Sequence, residues 1–397
     1  MPHYKYLIVG GGMTAAAAIA GIRSVDAHGS LAVVGDDPHP PYDRPPLTKE
    51  LWKHKPVSSI WRKTYPHSVT FYLGRTVRRL DPPNKRVVDD EGTAYSYEKL
   101  LLATGSTPHR FSFGGKQIIY FRTFDDYQRL RAITTHGERF AVIGSGFIGS
   151  EIAAALAMNG KKVIYMFPEH SIGAEMYPPK LAKAVNALYR KNGIELLAGT
   201  KVTGCAERNG KTTLTIRDGK TKREKTIMVD AAIAGLGVQP NVQLARAAGL
   251  TVHDGIRVDA LLRTSRPDIY AAGDVASFHN PALDRWLRVE HEDNANKMGR
   301  CAGASMAGRA VSYTHQPFFY SELFDWGYQA VGRIDSTLNV VCDWKDPCKK
   351  GVLYYLQAGR VRGVLLWNVS GQLAVARALI AAPGPFTPAD IKGRIRF

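Results

Sequence analysis

FAVIGSGFIGSEIAAALAMNGKKVIYMFPE, residues 140–169, passes from an apolar run through a glycine-rich turn into a helix pattern, then into a second apolar run and an acid. FAVIG (140–144) is short, apolar and rich in branched residues, as a buried parallel strand is. Gly144, Gly146 and Gly149 keep G-x-G-x-x-G spacing around Phe147 and Ile148. In that spacing the first glycine permits a tight turn and the second admits a pyrophosphate to the backbone. The third lets the helix pack on the strand. SEIAAALAMNG reads as that helix and KKVIYMF as the next strand, and Glu169 follows Pro168. An acid at this place accepts from a ribose hydroxyl.

The N-terminal stretch repeats the pattern. KYLIVG (5–10) reads as a strand, GGGMTA (10–15) supplies Gly10, Gly12 and Ala15, and Ala15 to Gly21 is a helix-forming run. LAVVGDD (31–37) reads as the second strand and ends in Asp36 and Asp37. The amides that open each helix would face phosphate. Either loop alone is a weak signal, because a glycine-rich turn in an ordinary α/β sheet has the same spacing. Two such loops on one chain point to two dinucleotide sites, and an enzyme with two dinucleotides most often passes a hydride between them.

At 397 residues the chain is expected to form two to three domains. Its composition, 45% hydrophobic and 22% charged, is that of a soluble globular protein. No apolar run is long enough to span a membrane. The first strand pattern begins at Lys5, leaving no room for a leader ahead of it, so the expected location is cytoplasmic. The net charge of +18 favours acidic partners. Nucleic acid, anionic lipid and an acidic electron carrier all satisfy it. The basic residues are scattered and no nucleic-acid-binding motif is present, so no sequence-specific nucleic-acid binding is expected.

The cysteines are Cys205, Cys301, Cys342 and Cys348. None lies in the first half, where a redox-active pair beside a flavin would stand. PPYDRPPLTKELW (40–52) occupies that region instead. Cys342 and Cys348 read as two unrelated thiols, with a disulfide or half a metal site as the alternatives, and no metal is expected.

LLATGSTP (101–108) is a strand entering a tight turn, and FRTFDDYQRLR (121–131) leads to the second loop. Residues 200–230 form a hairpin-like segment, and AGLGVQPN (234–241) crosses back. LRTSRPDIYAAGDVA (262–276) reads as a strand, a Gly-Asp turn and the start of a helix. YQAVGRI, LNVVCDW, GVLYYLQ and VRGVLLWN are strand runs, and SGQLAVARALIAA is a helix. The expected fold is α/β, with two Rossmann-like dinucleotide-binding domains and a small α+β C-terminal domain. The expected bounds are 1–119 with 243–315, then 120–242, then 316–397.

These motifs, in this order, resemble the glutathione-reductase superfamily of two-dinucleotide flavoproteins over essentially the whole chain. Within it they resemble the branch of apoptosis-inducing factor and the NADH-dependent ferredoxin, rubredoxin and putidaredoxin reductases. PYDRPPLTKELW is similar to that branch's Pro-Tyr-x-Arg-Pro-Pro-Leu-Ser-Lys signature, and LLATGSTP and YAAGDVA to its two further flavin motifs. RVEHEDNANKMGRCAG (288–303), KKVIYMFPE and GVLLWNVSGQLAVARALI (363–380) are similar to apoptosis-inducing factor.

The resemblance implies that Gly10, Gly12 and Ala15 hold the FAD pyrophosphate and Asp36 the adenosine ribose. It places Arg44 and Lys49 at the flavin half and the Val77 backbone at the adenine. Thr104 and Gly105 would line the pyrophosphate region, with Gly273 and Asp274 at the ribityl or phosphate end. Gly146 and Phe147 would lie under the nicotinamide, with Gly144, Ile148 and Gly149 completing the loop. Gly237, Glu290, His291 and Tyr320 would close the site. Most members carry Trp where Tyr320 stands here, which bears on stacking strength. Glu175 stands where apoptosis-inducing factor has a Lys, which implies a weaker hold on the nicotinamide cofactor.

Hydride transfer depends mainly on positioning, with donor carbon and acceptor nitrogen about 3–3.5 Å apart. Lys49 and Glu151 are the expected electrostatic pair, with the ammonium balancing negative charge on the flavin. The alternative is a surface Lys and a first-turn Glu favoured by the helix dipole. Phe147 reads as a gate or as a core anchor, and His291 as a site residue or a satisfied interior histidine. Trp326 and Trp344 read as core. Glu169 argues for NADH, since a carboxylate repels a 2′-phosphate; NADPH is the less favoured cofactor.

The leading expectation is an NADH-dependent FAD reductase that hands electrons to a small acidic ferredoxin or rubredoxin. The alternatives are an apoptosis-inducing-factor-like slow oxidoreductase with a binding or regulatory role, and an NADH:quinone reductase. A homodimer is compatible with each.

Overall fold

A computed structural model describes residues 1–64 and 68–397, and the chain divides into two compact units. The first comprises Met1–Arg44, Val57–Thr107 and Gln239–Phe319; the second comprises Pro45–Pro56, Pro108–Val238 and Tyr320–Phe397.

The first unit is built on a seven-stranded sheet. Strands Thr70–Leu73, Leu31–Gly35, His3–Val9 and Ala94–Leu102 lie side by side and parallel. Ala94–Leu102 pairs antiparallel with Arg86–Asp89 near its start and parallel with Ile269–Ala271 near its end. Both faces of these strands are covered, so Leu7, Ile8, Ala32, Val33, Val34, Leu100 and Leu101 are fully buried. The helix Met13–Arg23 follows His3–Val9, and the helix Glu292–Met306 packs along it. Small residues allow this approach: a Cβ at Gly303 would lie 2.1 Å from the Ala18 carbonyl oxygen.

The expected helix after the Gly-Asp turn is instead one 3-10 turn, Gly273–Val275, followed by the strand Ala276–Asn280. The run Ala276 to Phe278 is committed to pairing with Gly255–Arg257 on one side and Arg285–Arg288 on the other.

In the second unit a five-stranded parallel sheet runs in the order Glu195–Ala198, Lys162–Phe167, Arg139–Ile143, Ala231–Ala234 and Ile118–Tyr120. The helix Phe147–Met158 follows Arg139–Ile143. Residues 200–230 form a three-stranded antiparallel sheet. The C-terminal part is a five-stranded sheet with the helix Leu373–Ala381. Its edge strand, Phe318–Leu323, lies just before the four runs read as strands. The expected α/β class, with two Rossmann-like strand–loop–helix units and an α+β end, is borne out.

Gly303→Val should destabilise the protein by about 2 kcal/mol, because the added side chain must push the two helices apart. Chemical denaturation followed by circular dichroism measures this; an unchanged midpoint would mean that the helices are not in backbone contact.

Candidate functional site

The two glycine loops use the same physical device. Gly10 has φ +112°, and a Cβ there would lie 2.1 Å from the Ala103 carbonyl oxygen. Gly144 has φ +107°, and its Cβ would lie 2.3 Å from the Gly235 oxygen. The middle glycines differ from these, since a Cβ at Gly12 or Gly146 would meet nothing within 4 Å. Each is the N-cap residue of its helix, with no side-chain cap and no acid in the first turn. The helix Phe124–Thr134 shows the ordinary solution, a capping box between Thr123 and Asp126. Such a cap is worth about 1 kcal/mol, so two bare, glycine-opened helix starts suit an outside anion. Ala15 is fully buried, and a Cβ at Gly149 would lie 1.9 Å from the Gly144 oxygen.

Each acid stands just beyond the second strand of its glycine-loop motif. Asp36 is exposed just past Leu31–Gly35, and among the described residues its carboxylate has no partner. Its neighbour Asp37 accepts from the Tyr42 hydroxyl (2.8 Å) and the His39 amide (3.1 Å). That engagement leaves Asp36 as the acceptor. In the second unit the Glu169 Oε2 is buried without a hydrogen-bond partner among the described residues. A buried, unpaired carboxylate oxygen is costly, and a bound hydroxyl would satisfy it.

Other expected residues of the first unit take up more local duties. Arg44 lies 3.9 Å from the Asp37 carboxylate and over the Tyr42 ring. Val77 opens a strand, half-buried opposite Asp89. Thr104 donates to the Asn241 carbonyl oxygen (2.8 Å), and Asn241 returns a side-chain bond to the Thr104 oxygen (2.7 Å) and an amide bond to the Gly105 oxygen (3.0 Å). Asp274, beside Gly273 on the 3-10 turn, accepts from the Ser106 hydroxyl at 2.8 Å. Glu290 pairs with Arg288, which also holds Asp254 at 2.7 Å. His291 is the N-cap of Glu292–Met306, and its ring stacks on Phe319 at 4.7 Å.

Two residues here escaped the sequence reading. Asn241 clamps the turn at 104–107, also accepting from Thr107, and its only sequence signal was its place at the end of a breaker-rich stretch. Arg62 joins Asp43 (2.7 Å), Asn296 (2.7 Å) and the Met13 carbonyl (3.3 Å) at the head of the first loop's helix, and nothing in its local sequence marks it.

The second unit gathers a buried polar cluster at the second loop's helix. Glu151 is 3% exposed and Lys49 is 7% exposed. Lys49 Nζ donates to Glu151 Oε2 at 2.6 Å, which brings the expected pair together and rules out the surface alternative. Thr48 Oγ1 donates to the same oxygen at 2.5 Å, and Ser321 Oγ donates to Oε1 at 2.6 Å. The Tyr320 ring stands 5.2 Å from the Lys49 ammonium, a cation–π contact. Phe147 is half-buried at the first position of the helix, and Ile148 packs against Gly235. Gly237 has φ +81°, and its carbonyl accepts from the His109 amide. All four cysteines are free thiols, Cys342 and Cys348 included. No group of three or more potential metal ligands occurs among the described residues.

Residues 4–306 match the pyridine nucleotide-disulphide oxidoreductase family. Residues 302–349 and 343–382 match the C-terminal, mitochondrion-associated region of apoptosis-inducing factor. The mitochondrial apoptosis-inducing factor 1 of Dictyostelium discoideum is 31% identical over 95% of this chain and 78% of its own length. The ferredoxin–NAD(+) reductase component of the anthranilate 1,2-dioxygenase system of Burkholderia cepacia is 31% identical over 97% of both chains. The crystal structure of the covalent putidaredoxin reductase–putidaredoxin complex matches with a TM-score of 0.89 at 27% identity, covering 98% of this chain and 95% of that one. The branch read from the sequence motifs is thereby confirmed. With two bare helix starts, an acid beyond each and a buried ammonium in place, this chain belongs to the pyridine nucleotide-disulphide oxidoreductase family and is an FAD-dependent NAD(P)H oxidoreductase.

Proposed function

We propose that this chain is fed by NADH and hands electrons singly to a small acidic iron–sulfur protein. The bound groups supply hydride transfer from nicotinamide to flavin and single-electron release to the carrier. The observation that carries the cofactor preference is the buried, unpartnered Oε2 of Glu169. It accepts from a free 2′-hydroxyl and repels a 2′-phosphate. The net charge of +18 and the relatedness to ferredoxin and putidaredoxin reductases support the acceptor.

In this reading the first unit holds FAD. Gly10, Gly12 and the helix amides behind them take its pyrophosphate, and Asp36 takes the adenosine ribose. The Val77 backbone, the turn at Thr104 and Gly105, and Gly273 with Asp274 line the rest, with Arg44, Glu290 and His291 toward the ring. The second unit holds NADH at Gly144, Gly146, Phe147, Ile148, Gly149, Glu169 and Gly237. Lys49, paired with Glu151 and faced by Tyr320, supplies a buried ammonium suited to negative charge that develops during transfer. The functional domains proposed are 1–119 with 243–315 for FAD, 120–242 for NADH, and 316–397 at the C-terminus. Four free thiols suit a reducing compartment such as the cytoplasm.

A second reading is a slow oxidoreductase with a binding role, favoured by the match of residues 302–382 to apoptosis-inducing factor. Reoxidation rates separate the two. In stopped flow, NADH should bleach the flavin, and ferredoxin or rubredoxin should restore it at a rate that falls steeply with salt. Restoration no faster than by air would favour the second reading. NADPH should bleach the flavin at least roughly tenfold less efficiently, and Glu169→Ala should narrow that gap; equal efficiencies in the parent would remove the role of Glu169.

Gly146→Ala should leave the melting temperature in place while weakening NADH binding by roughly tenfold or more, because its methyl group enters the phosphate's space. Gly149→Ala should lower the melting temperature as well, since its methyl group would strike the Gly144 carbonyl. Identical behaviour of the two variants would contradict this division of labour.

A further inference from the structure

A hollow of about 260 Å³ lies beside strand Ile118–Tyr120 in the second unit, and none of the residues that line it belongs to the dinucleotide sites described above. Its apolar part is Ile118 with Phe111 and Phe113, whose rings stack at 4.7 Å with 10° between planes. Both phenylalanines pack on the core of this unit and stay half-buried. Three cations line the same hollow. Arg110, Lys116 and Arg129 are exposed, and among the described residues no carboxylate lies within 4.0 Å of any of them. The one acid on the lining, Asp126, is engaged elsewhere: its Oδ2 accepts from the amides of Arg122 (3.0 Å) and Thr123 (2.8 Å) and from the Thr123 hydroxyl (2.8 Å). A buried donor completes the set. Tyr120 is 5% exposed, carries the Arg110 guanidinium over its ring at 4.8 Å, and accepts the Phe111 amide on its hydroxyl at 2.9 Å. Among the described residues the proton of that hydroxyl has no acceptor.

We propose that this hollow is a binding site for a small aromatic carboxylate, with the ring against Phe111 and Phe113 and the acid group taken by the Tyr120 hydroxyl and the surrounding cations. The two halves of the lining select that class together. A neutral aromatic molecule would leave the cations and the phenol proton unanswered, and a simple anion would leave the apolar wall wet. The volume is just below the range of about 300–1,000 Å³ usual for ligand pockets, so it admits one ring with a short acidic arm. The rim is fixed in advance. Arg129 donates to the Lys116 carbonyl, which ties the helix Phe124–Thr134 to the 3-10 turn Gly115–Gln117. Less ordering is then left for the ligand to impose. Tyr120 supplies a hydrogen bond from a dry place, and the exposed cations add an attraction that water and salt weaken.

The test uses the full flavin-loaded chain and para-(trifluoromethyl)cinnamate as the probe, followed by fluorine NMR. A ligand of so few atoms should bind with a Kd on the order of 1 mM. The neutral amide of the same acid should bind roughly fivefold more weakly, and trifluoroacetate, which keeps the charge without the ring, roughly tenfold more weakly. Arg110→Gln combined with Lys116→Gln changes two exposed side chains and should raise the Kd roughly tenfold with the melting temperature unchanged. Tyr120→Phe should raise it roughly threefold. Lys201→Gln combined with Arg217→Gln removes the same charge from a facing pair in the three-stranded sheet of this unit and should leave the Kd within about twofold. A Kd that the Arg110 and Lys116 changes do not move, an equal loss from the Lys201 and Arg217 changes, or equal binding of the amide or of trifluoroacetate would each overturn the site. Displacement of the probe by micromolar single-stranded oligothymidylate would overturn it in favour of a surface for polyanions. No readout depends on NADH oxidation, so the site and the electron-transfer reading fail separately.

Discussion

At the first turn of each glycine loop a carbonyl oxygen occupies the place of a side chain, and each loop is arranged around that. The Ala103 oxygen lies against Gly10 and the Gly235 oxygen against Gly144, each closer than any Cβ allows. In each unit this brings the end of a neighbouring strand against the end of the strand that carries the loop. The chain must then turn sharply into its helix, and a glycine rather than a capping side chain opens that helix. Unpaired amides at a helix start are ordinarily a small loss of stability. Here the loss occurs twice, at corresponding places of the two units, and a phosphate is the kind of group that such helix starts suit.

The two units separate their acids by different means. In the first, Asp37 is consumed by Tyr42 and His39, so that Asp36 alone faces outward. In the second, Phe167 ends its strand fully buried and Pro168 carries the chain past it, so that the acid arrives two residues later. The Gly199 amide holds the Glu169 backbone there at 2.8 Å, while one oxygen of its side chain stays unpaired. An exposed carboxylate and a buried orphaned one differ in what they enforce. In the role proposed for them, the exposed group would contribute a hydrogen bond, whereas the buried one would also repel a competing anion.

The loops and their following acids were legible in the sequence through spacing within one motif, and the union of Lys49 with Glu151 was legible through the family resemblance of the stretch around Lys49. Other features were not. Thr48 and Ser321 reach Glu151 across 103 and 170 residues of chain, and a hydroxyl in a sequence carries no sign of its acceptor. Asn241 gives two of its bonds to backbone oxygens of Thr104 and Gly105, which any residue types would supply. The strand Phe318–Leu323 passed unread because it sits at the edge of its sheet with alternating half-burial. The helix expected after Asp274 failed for the opposite reason: a helix-compatible run was claimed by strands on both sides.

Stability alone does not account for the buried ion pair. Removing a lysine and a glutamate from water costs several kcal/mol per ion, and well-packed apolar residues of similar size are often as stable or more so. The surrounding donors reduce this cost without erasing it, because each must itself be buried and aligned: Thr48 is 4% exposed and Ser321 is 1% exposed. Several separate chain segments converge on one buried ion pair, an arrangement that agrees with the role proposed for the ammonium. Negative charge that develops during hydride transfer is stabilised most by a cation that is already fixed and already desolvated, since neither has to reorganise when the charge appears. On that proposal Glu151 and its hydroxyl donors bear in advance the cost of orienting Lys49.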